Sequence, residues 1–362
     1  MQHNQKRSFI MFIVQATVYG LAAIAIIIAT NIMIDGSSVI TSKSHADMAR
    51  IALAGNIVAV PENYNERVYQ VAIVNEMVSI PEVIVVGCSR GMFLGREITH
   101  YEDIYNNCVS GACMDDYYAL IGLYQQKFGE IPKRIIIETS PWVFYENNPE
   151  KRWIENVKYR SSCIDFYNLV NDRVKTLPSG GAENPYISMQ YFQYNRDIFL
   201  ETGIGAFEEK KAKVSDNSDE AADYPDGSIR YAVSLEEPSE ERLEKVKATS
   251  SGVTYQNVNN MTELSGDKIN DYENLIRYCQ AQGTEIIIYM QPFSVTQCRY
   301  IYDEGENPVF VDVMAYIDDV AERYNITVVG GYDARDFDLP DEDFIDFMHI
   351  DKYGTNKVWN YK

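Results

Sequence analysis

A serine and a histidine with a nearby aspartate are the residues of this chain best suited to chemistry. Ser89 lies in Gly87-Cys88-Ser89-Arg90-Gly91, directly after the apolar run Val83-Ile-Val-Val86. A small-residue turn at the end of a buried strand exposes a hydroxyl and leaves backbone N–H groups nearby to hold an oxyanion. Turns of this kind also bind phosphate or simply connect elements, so the turn alone is a weak signal. Far along the chain, Asp346-Phe-Met-His349 places a carboxylate three residues before an imidazole. A serine hydroxyl is a poor nucleophile until an imidazole takes its proton, and the imidazole needs a carboxylate to set its tautomer. The two half-signals fall at opposite ends of one predicted sheet, which strengthens both. Nearby residues have plainer alternatives. Cys88 is expected to turn into the core, Arg90 to bind an anion or to pair with Glu138, and Trp142 to line an acceptor groove or to pack. His100 is a weaker candidate base.

The elements that must position these residues alternate. Residues 83–87, 105–108, 135–139, 285–290 and 326–329 read as strands. Residues 114–128, 265–282 and 308–324 read as helices, with Ser265 as a cap and Gly283 as a stop. A further helix precedes the first strand, with Val68, Val71, Val74 and Met77 near helical spacing. Strands that are apolar throughout and separated by helices predict an α/β fold, with a five-stranded parallel sheet covered on both faces. About 120 residues between the third and fourth strands break the alternation. They contain Pro178-Ser-Gly-Gly181, the acidic run Ser215–Asp223 and the turn Pro225-Asp-Gly227. The acidic run reads as a solvated loop and 229–233 as a hairpin strand. The whole stretch, about 150–263, reads as an insertion over one rim of the sheet.

Phe9–Ile34 is almost entirely apolar, and as a helix its 26 residues span roughly 39 Å, enough to cross a bilayer with tilt. The apolar part of a cleavable signal is shorter, so this segment reads as an uncleaved anchor, although Ala22-Ala23 and Ala25 resemble a cleavage site. Lys6 and Arg7 favour a cytoplasmic amino terminus, which puts the rest of the chain outside the cytoplasm at a cell membrane. The expected organisation is a tip and anchor over 1–35, a connector and helix over 36–80, and the α/β domain over 81–362.

The 362 residues are 46% hydrophobic and 23% charged, which excludes a disordered or fibrous chain. A net charge of −21 argues against nucleic acid as a partner. Four histidines (His3, His45, His100, His349) include no pair at ligand spacing, and no Cys-x-x-Cys occurs, so no metal or other cofactor is expected. The six cysteines read as small buried thiols rather than a disulfide framework.

Gly-Cys-Ser after the first strand, Gly111 after the second and Asp-x-x-His late in the chain resemble the SGNH (GDSL-like) hydrolase superfamily. The resemblance covers residues 81–145 and 284–362 and leaves the insertion unexplained. It implies a three-layer, flavodoxin-like sandwich with Ser89 as nucleophile, His349 as general base and then acid, and Asp346 as the orienting carboxylate. The N–H groups of Ser89 and Gly111 would form part of the oxyanion hole. Gly-x-Ser-x-Gly is also satisfied, so an α/β-hydrolase is a rival, but that fold usually separates its acid and histidine widely. The superfamily generally places an oxyanion-binding Asn after the third strand. Here the chain reads Glu138-Thr-Ser-Pro-Trp142, and loss of one such donor costs roughly 3–4 kcal/mol. Ser-Pro-aromatic together with an amino-terminal anchor is similar to the D-alanine-transfer group of lipoteichoic acid synthesis. The resemblance therefore implies a membrane-anchored serine esterase or acyltransferase acting on cell-envelope glycopolymer or lipid-linked acyl groups, with a membrane acyltransferase as a further partner. The alternatives are a noncatalytic assembly or binding protein on the same scaffold and, more weakly, a phosphate- or nucleotide-binding ectodomain.

Overall fold

Runs of β-branched residues that are apolar at every position suit strands buried on both faces, and such runs build the centre of this molecule. The computed structural model describes residues 2–361 apart from 38, 41–42, 62–63, 178–183, 208–211, 251–260 and 306–307. Its strands form two sheets. β1 (Val58–Ala59), β5 (Ala222–Asp223) and β6 (Ile229–Arg230) make a small antiparallel sheet. β2 (Val83–Val86), β3 (Ile104–Asn106), β4 (Arg134–Glu138), β7 (Glu285–Met290) and β8 (Thr327–Gly330) make a parallel sheet in the order β3-β2-β4-β7-β8. Ile84 lies opposite Tyr105 on one side and Ile135 on the other, and Ile137 is flanked by Val86 and Ile288. All of these residues are buried. The fold is α/β, with all five carboxyl ends at one rim.

The helices begin and end where local chemistry requires. Gly266–Ala281 is capped by Ser265, whose Oγ accepts the Lys268 N–H at 3.3 Å. Met114–Phe128 is opened by Asp116, whose carboxylate accepts the Cys113 N–H at 2.9 Å and the buried Arg67 guanidinium at 2.8 and 2.9 Å. The strand expected over 105–108 stops at Asn106. There the Asn106 carboxamide donates to the Gly91 and Leu94 carbonyls and accepts the Cys108 N–H, drawing the chain out of the ladder.

Two readings of the chain between β4 and β7 need correction. Of 229–233, only Ile229 and Arg230 pair, and Val233 opens a short helix. The acidic run is not wholly solvated, because Ala222 and Asp223 form the middle strand of the small sheet and are buried. Ladder pairing on both sides satisfies the backbone of β5 and carries the Asp223 carboxylate inward. Pro178-Ser-Gly-Gly181 lies outside the described residues. The stretch 150–263 packs in several places. Val157–Asn171 lies against Met114–Phe128, Met189–Thr202 against the amino-terminal helix, and Glu240–Thr249 against the turn Asp341–Asp343.

The amino-terminal helix is Gln2–Ile34. Within its portion Lys6–Ile34 an 18-residue stretch reaches a mean hydropathy of 2.3, and the segment is long and apolar enough to cross a membrane. All six cysteines are free and buried.

Candidate active site

The turn after β2 is built on an acidic side chain that reaches in from the end of β4. Glu138 closes the strand directly after the buried run Ile135–Ile137 and is itself buried. Its Oε2 accepts the Cys88 N–H at 2.8 Å, and its Oε1 accepts the Ser140 hydroxyl at 2.5 Å. Gly87 stands at φ +154°, where a Cβ would come within 2.5 Å of the Glu138 Cβ. At Gly91 a Cβ would lie 2.8 Å from the Cys108 sulfur and 3.0 Å from the Glu138 Cβ. Both glycines are therefore required by close approach, and together they let the chain reverse over Glu138 and leave Ser89 half-exposed at the rim.

Asp346 and His349 sit on a closed loop beyond β8. Phe344 and Ile350 bridge its base, and the Ile345 N–H donates to the His349 carbonyl at 2.8 Å. Phe344, Ile345, Met348 and Ile350 are buried and anchor the loop in the core. The Ser294 N–H, from the segment after β7, donates to the Phe347 carbonyl at 2.9 Å. Arg242 ties the loop from outside. Its guanidinium donates to the Phe344 carbonyl at 2.6 Å, to the Glu342 carbonyl, and to Asp351 Oδ2 at 2.7 Å. Asp351 also caps the next helix, Lys352–Trp359, by accepting the Gly354 N–H at 2.8 Å.

Across the rim the three side chains form one relay. Ser89 Oγ lies 2.8 Å from His349 Nε2, and His349 Nδ1 lies 2.9 Å from both carboxylate oxygens of Asp346. Burial works to raise the Asp346 pKa. The His349 hydrogen bond and charge, joined by the N–H groups of Met348 and His349, hold it below the ordinary carboxylate value. An ionised carboxylate only accepts, so Nδ1 carries the proton and Nε2 presents a lone pair to the serine hydroxyl. This arrangement can remove a proton from Ser89 and return it to a leaving group.

In comparisons with known proteins the chain matches no family model, no curated protein and no solved structure. The functional reading therefore rests on this geometry and on the residue patterns that led to it.

The other candidates have different settings. Gly111 sits in the loop after β3 at φ +63°, and that loop is tied to the serine turn by the Val109 N–H, which donates to the Gly87 carbonyl at 3.0 Å. Arg90 is completely buried. It donates to the Gln291 carbonyl, lies 3.4 Å from Ser140 Oγ, and stacks 4.0 Å from the centre of the Phe293 ring. Trp142 is also buried, so neither side chain presents a surface to a substrate in this conformation. Burial, reinforced by the nearby Glu138 charge, pushes the Cys88 thiol well above its usual pKa, which removes it as a nucleophile at neutral pH. His100 is exposed, at φ +61°, where it ends the short helix Arg96–Thr99. Asn148 donates to the Trp142 carbonyl and accepts the Glu150 N–H, so its carboxamide is occupied in a turn.

Glu138, named from the sequence only as a possible partner of Arg90, and Arg242 hold the serine turn and the His349 loop, a role the residue patterns gave to neither. An acid ending the run Ile135-Ile-Ile137 was a usable signal for the first, since a buried strand rarely ends in a charge without a partner. A hollow of about 280 Å³ lies among Phe93, Arg96, Glu97, Tyr224, Asp226 and Lys352, and none of the three relay residues lines it.

Proposed function

We propose that this protein is a membrane-anchored, extracytoplasmic serine esterase or O-acyltransferase of the SGNH type, acting on cell-envelope glycopolymer or lipid-linked acyl groups. The observation that carries the reading is the Ser89–His349–Asp346 relay. Ser89 Oγ adds to an ester carbonyl while His349 Nε2 takes its proton. The tetrahedral oxyanion collapses, and the departing alcohol receives that proton from His349. A sugar or polyol hydroxyl, or water, then attacks the acyl-serine with His349 again as base. The first half is common to hydrolase and transferase, and the acceptor distinguishes them.

The Ser89 N–H donates no hydrogen bond among the described residues, which suits it to the oxyanion, and by the resemblance Gly111 supplies the second donor. Asn148, ten residues beyond the end of β4, is engaged in a turn and does not take the place of the missing Asn. The anion is then held by backbone groups, with a correspondingly slower reaction. The parallel strands, read in sequence, lie in the order 2-1-3-4-5, which is that of flavodoxin-like doubly wound sheets and supports the three-layer arrangement. Lys6 and Arg7 before the apolar helix support a cytoplasmic amino terminus, and a membrane acyltransferase is the partner that fits a site held near a bilayer.

A fluorophosphonate probe tests the reading on the full chain in detergent or vesicles. One covalent adduct by intact mass is expected, absent in Ser89→Ala and strongly reduced in His349→Ala. A folded protein that takes no label would refute the enzyme reading and favour a binding protein on the same scaffold.

A further inference from the structure

Beside the outer end of the apolar helix lies a second element whose exposed face is not suited to water. The segment 184–207 contains the helix Met189–Thr202 and the turn Gly203–Phe207. It is clamped to the last turns of Gln2–Ile34. The buried Asn31 carboxamide donates to the carbonyls of Pro185 at 2.9 Å and Ser188 at 3.1 Å. The Asn195 side chain donates to Asn31 Oδ1 at 3.2 Å and accepts the Gly36 N–H at 2.9 Å. The Tyr191 hydroxyl donates to Asp35 Oδ1 at 2.5 Å. A rise of 1.5 Å per residue puts Asn31 only about 5 Å before Ile34 along the helix axis. The clamp therefore holds Met189–Thr202 at the level where a spanning helix leaves the hydrocarbon.

At that level the segment turns apolar side chains outward. Leu200 is 72% exposed and Ile204 84%, with Met189, Phe199 and Phe207 also exposed. Met189, Phe192, Phe199 and Leu200 fall on one side of the helix together with Arg196, whose long stem can carry its charge to the polar edge, and Gln190, Gln193, Asp197 and Glu201 line the adjacent side at spacings of three and four residues. A soluble domain rarely leaves such a strip uncovered. An amphipathic helix lying in the plane of a membrane places this kind of face at the headgroup and acyl boundary, and aromatic side chains favour that zone.

We propose that Tyr186–Phe207 is an interfacial element that rests in the outer leaflet of the bilayer crossed by Lys6–Ile34. Its occupant is lipid rather than a protein groove, because the segment packs directly against the apolar helix whose own side chains are uncovered in the molecule. It braces the α/β domain against the membrane as a second point of contact, beyond the single span. The inference rests on the reading of Lys6–Ile34 as a membrane span and is independent of the chemistry at Ser89.

The test places the photo-crosslinker p-benzoylphenylalanine singly at Leu200, Ile204, Leu21 and Val78 of the full chain in vesicles of phosphatidylcholine and phosphatidylglycerol. Leu21 reports the span, and Val78, 98% exposed, reports solvent. The expected result is a mass gain of one phospholipid at Leu200, Ile204 and Leu21, and none at Val78. Lipid capture at Leu21 with none at Leu200 and Ile204 overturns the proposal and leaves the span intact. Cross-linking of Leu200 or Ile204 to a second copy in place of lipid overturns it too. No capture at Leu21 overturns the span, and the interfacial element with it.

Discussion

Two carboxylates in this molecule are both partly or wholly withdrawn from water, and their pKa values move in opposite directions. Asp346, in the loop after β8, receives N–H donors from Met348, from His349 and from the His349 ring, and stays ionised below the ordinary range. Asp223, on the middle strand of the small sheet, is more deeply buried. Its carboxylate receives one hydrogen bond among the described residues, from the Tyr64 hydroxyl at 3.2 Å. Burial pushes its pKa up to about 7, helped by the nearby Glu66 charge and only partly opposed by Tyr64. Burial works to raise the pKa of both acids. At Asp346 the donors and the His349 charge outweigh it, and the loop that carries His349 supplies them, whereas the single Tyr64 donor at Asp223 does not.

The contrast can be broken most sharply at Asp346. Asp346→Asn keeps the shape but no longer favours the tautomer that leaves Nε2 free to accept. The rate of fluorophosphonate labelling at neutral pH is expected to fall roughly 10⁴-fold, with the unfolding midpoint little changed. A fall of less than tenfold would show that the carboxylate does not set the tautomer.

Next in size is the support of that loop. Arg242→Met leaves Asp351 buried without its ionic partner, which costs on the order of 3–5 kcal/mol in thermal or urea unfolding. Labelling of the folded fraction is also expected to slow, because the loop that carries His349 loses its ties at Phe344 and Glu342. Arg242→Lys restores little, since an ammonium cannot reproduce the forked donor set. Unchanged labelling in a folded Arg242→Met protein would reduce this residue to a structural support alone.

The smallest effect belongs to the small sheet. A raised folded-state pKa means that Asp223 favours folding while protonated, and its contribution is lost as pH rises from about 4 to about 7. Asp223→Asn is therefore expected to stabilise the protein on the order of 2–4 kcal/mol above pH 7, fading to little below pH 4. His45 works in the other direction over much of that window. Burial lowers its pKa to about 4, so its contribution is present above 6.5 and is lost as pH falls. Unfolding curves of the wild type and Asp223→Asn between pH 4 and 8 separate the two, and a constant difference across that range would refute the buried-acid assignment.

Much of the framework was legible because it is written in local chemistry. Three consecutive isoleucines or valines flanked by polar residues can hardly do anything but cross the centre of a sheet, and 285–290 emerged with the boundaries read from the pattern. The helix over 114–128 did likewise, bounded by Asp116 at one end and Gly129 at the other. The serine turn and the Asp-x-x-His loop were visible for the same reason, as a short sequence holding a complete local geometry. The supports were not visible, because each depends on a partner remote in sequence. Arg90 meets Gln291 across 201 residues, and Arg242 meets Asp351 across 109. Helix Glu240–Thr249 has a mostly polar, charged sequence, and nothing in it marks one arginine as buried. Likewise, Ala222–Asp223 becomes a strand only because β1 and β6 lie on either side of it.

The hydrogen bond between Ser89 and His349 joins residues 260 positions apart. A contact of that separation is among the last that a folding chain can close. Synthesis delivers residues at about 5–20 per second, so many seconds separate the emergence of Ser89 from that of His349. Throughout that interval the serine is carried by a chain that cannot activate it. A chain cut short before residue 349 therefore carries Ser89 without the imidazole that meets it in the folded molecule, and the relay is a property of the finished chain alone.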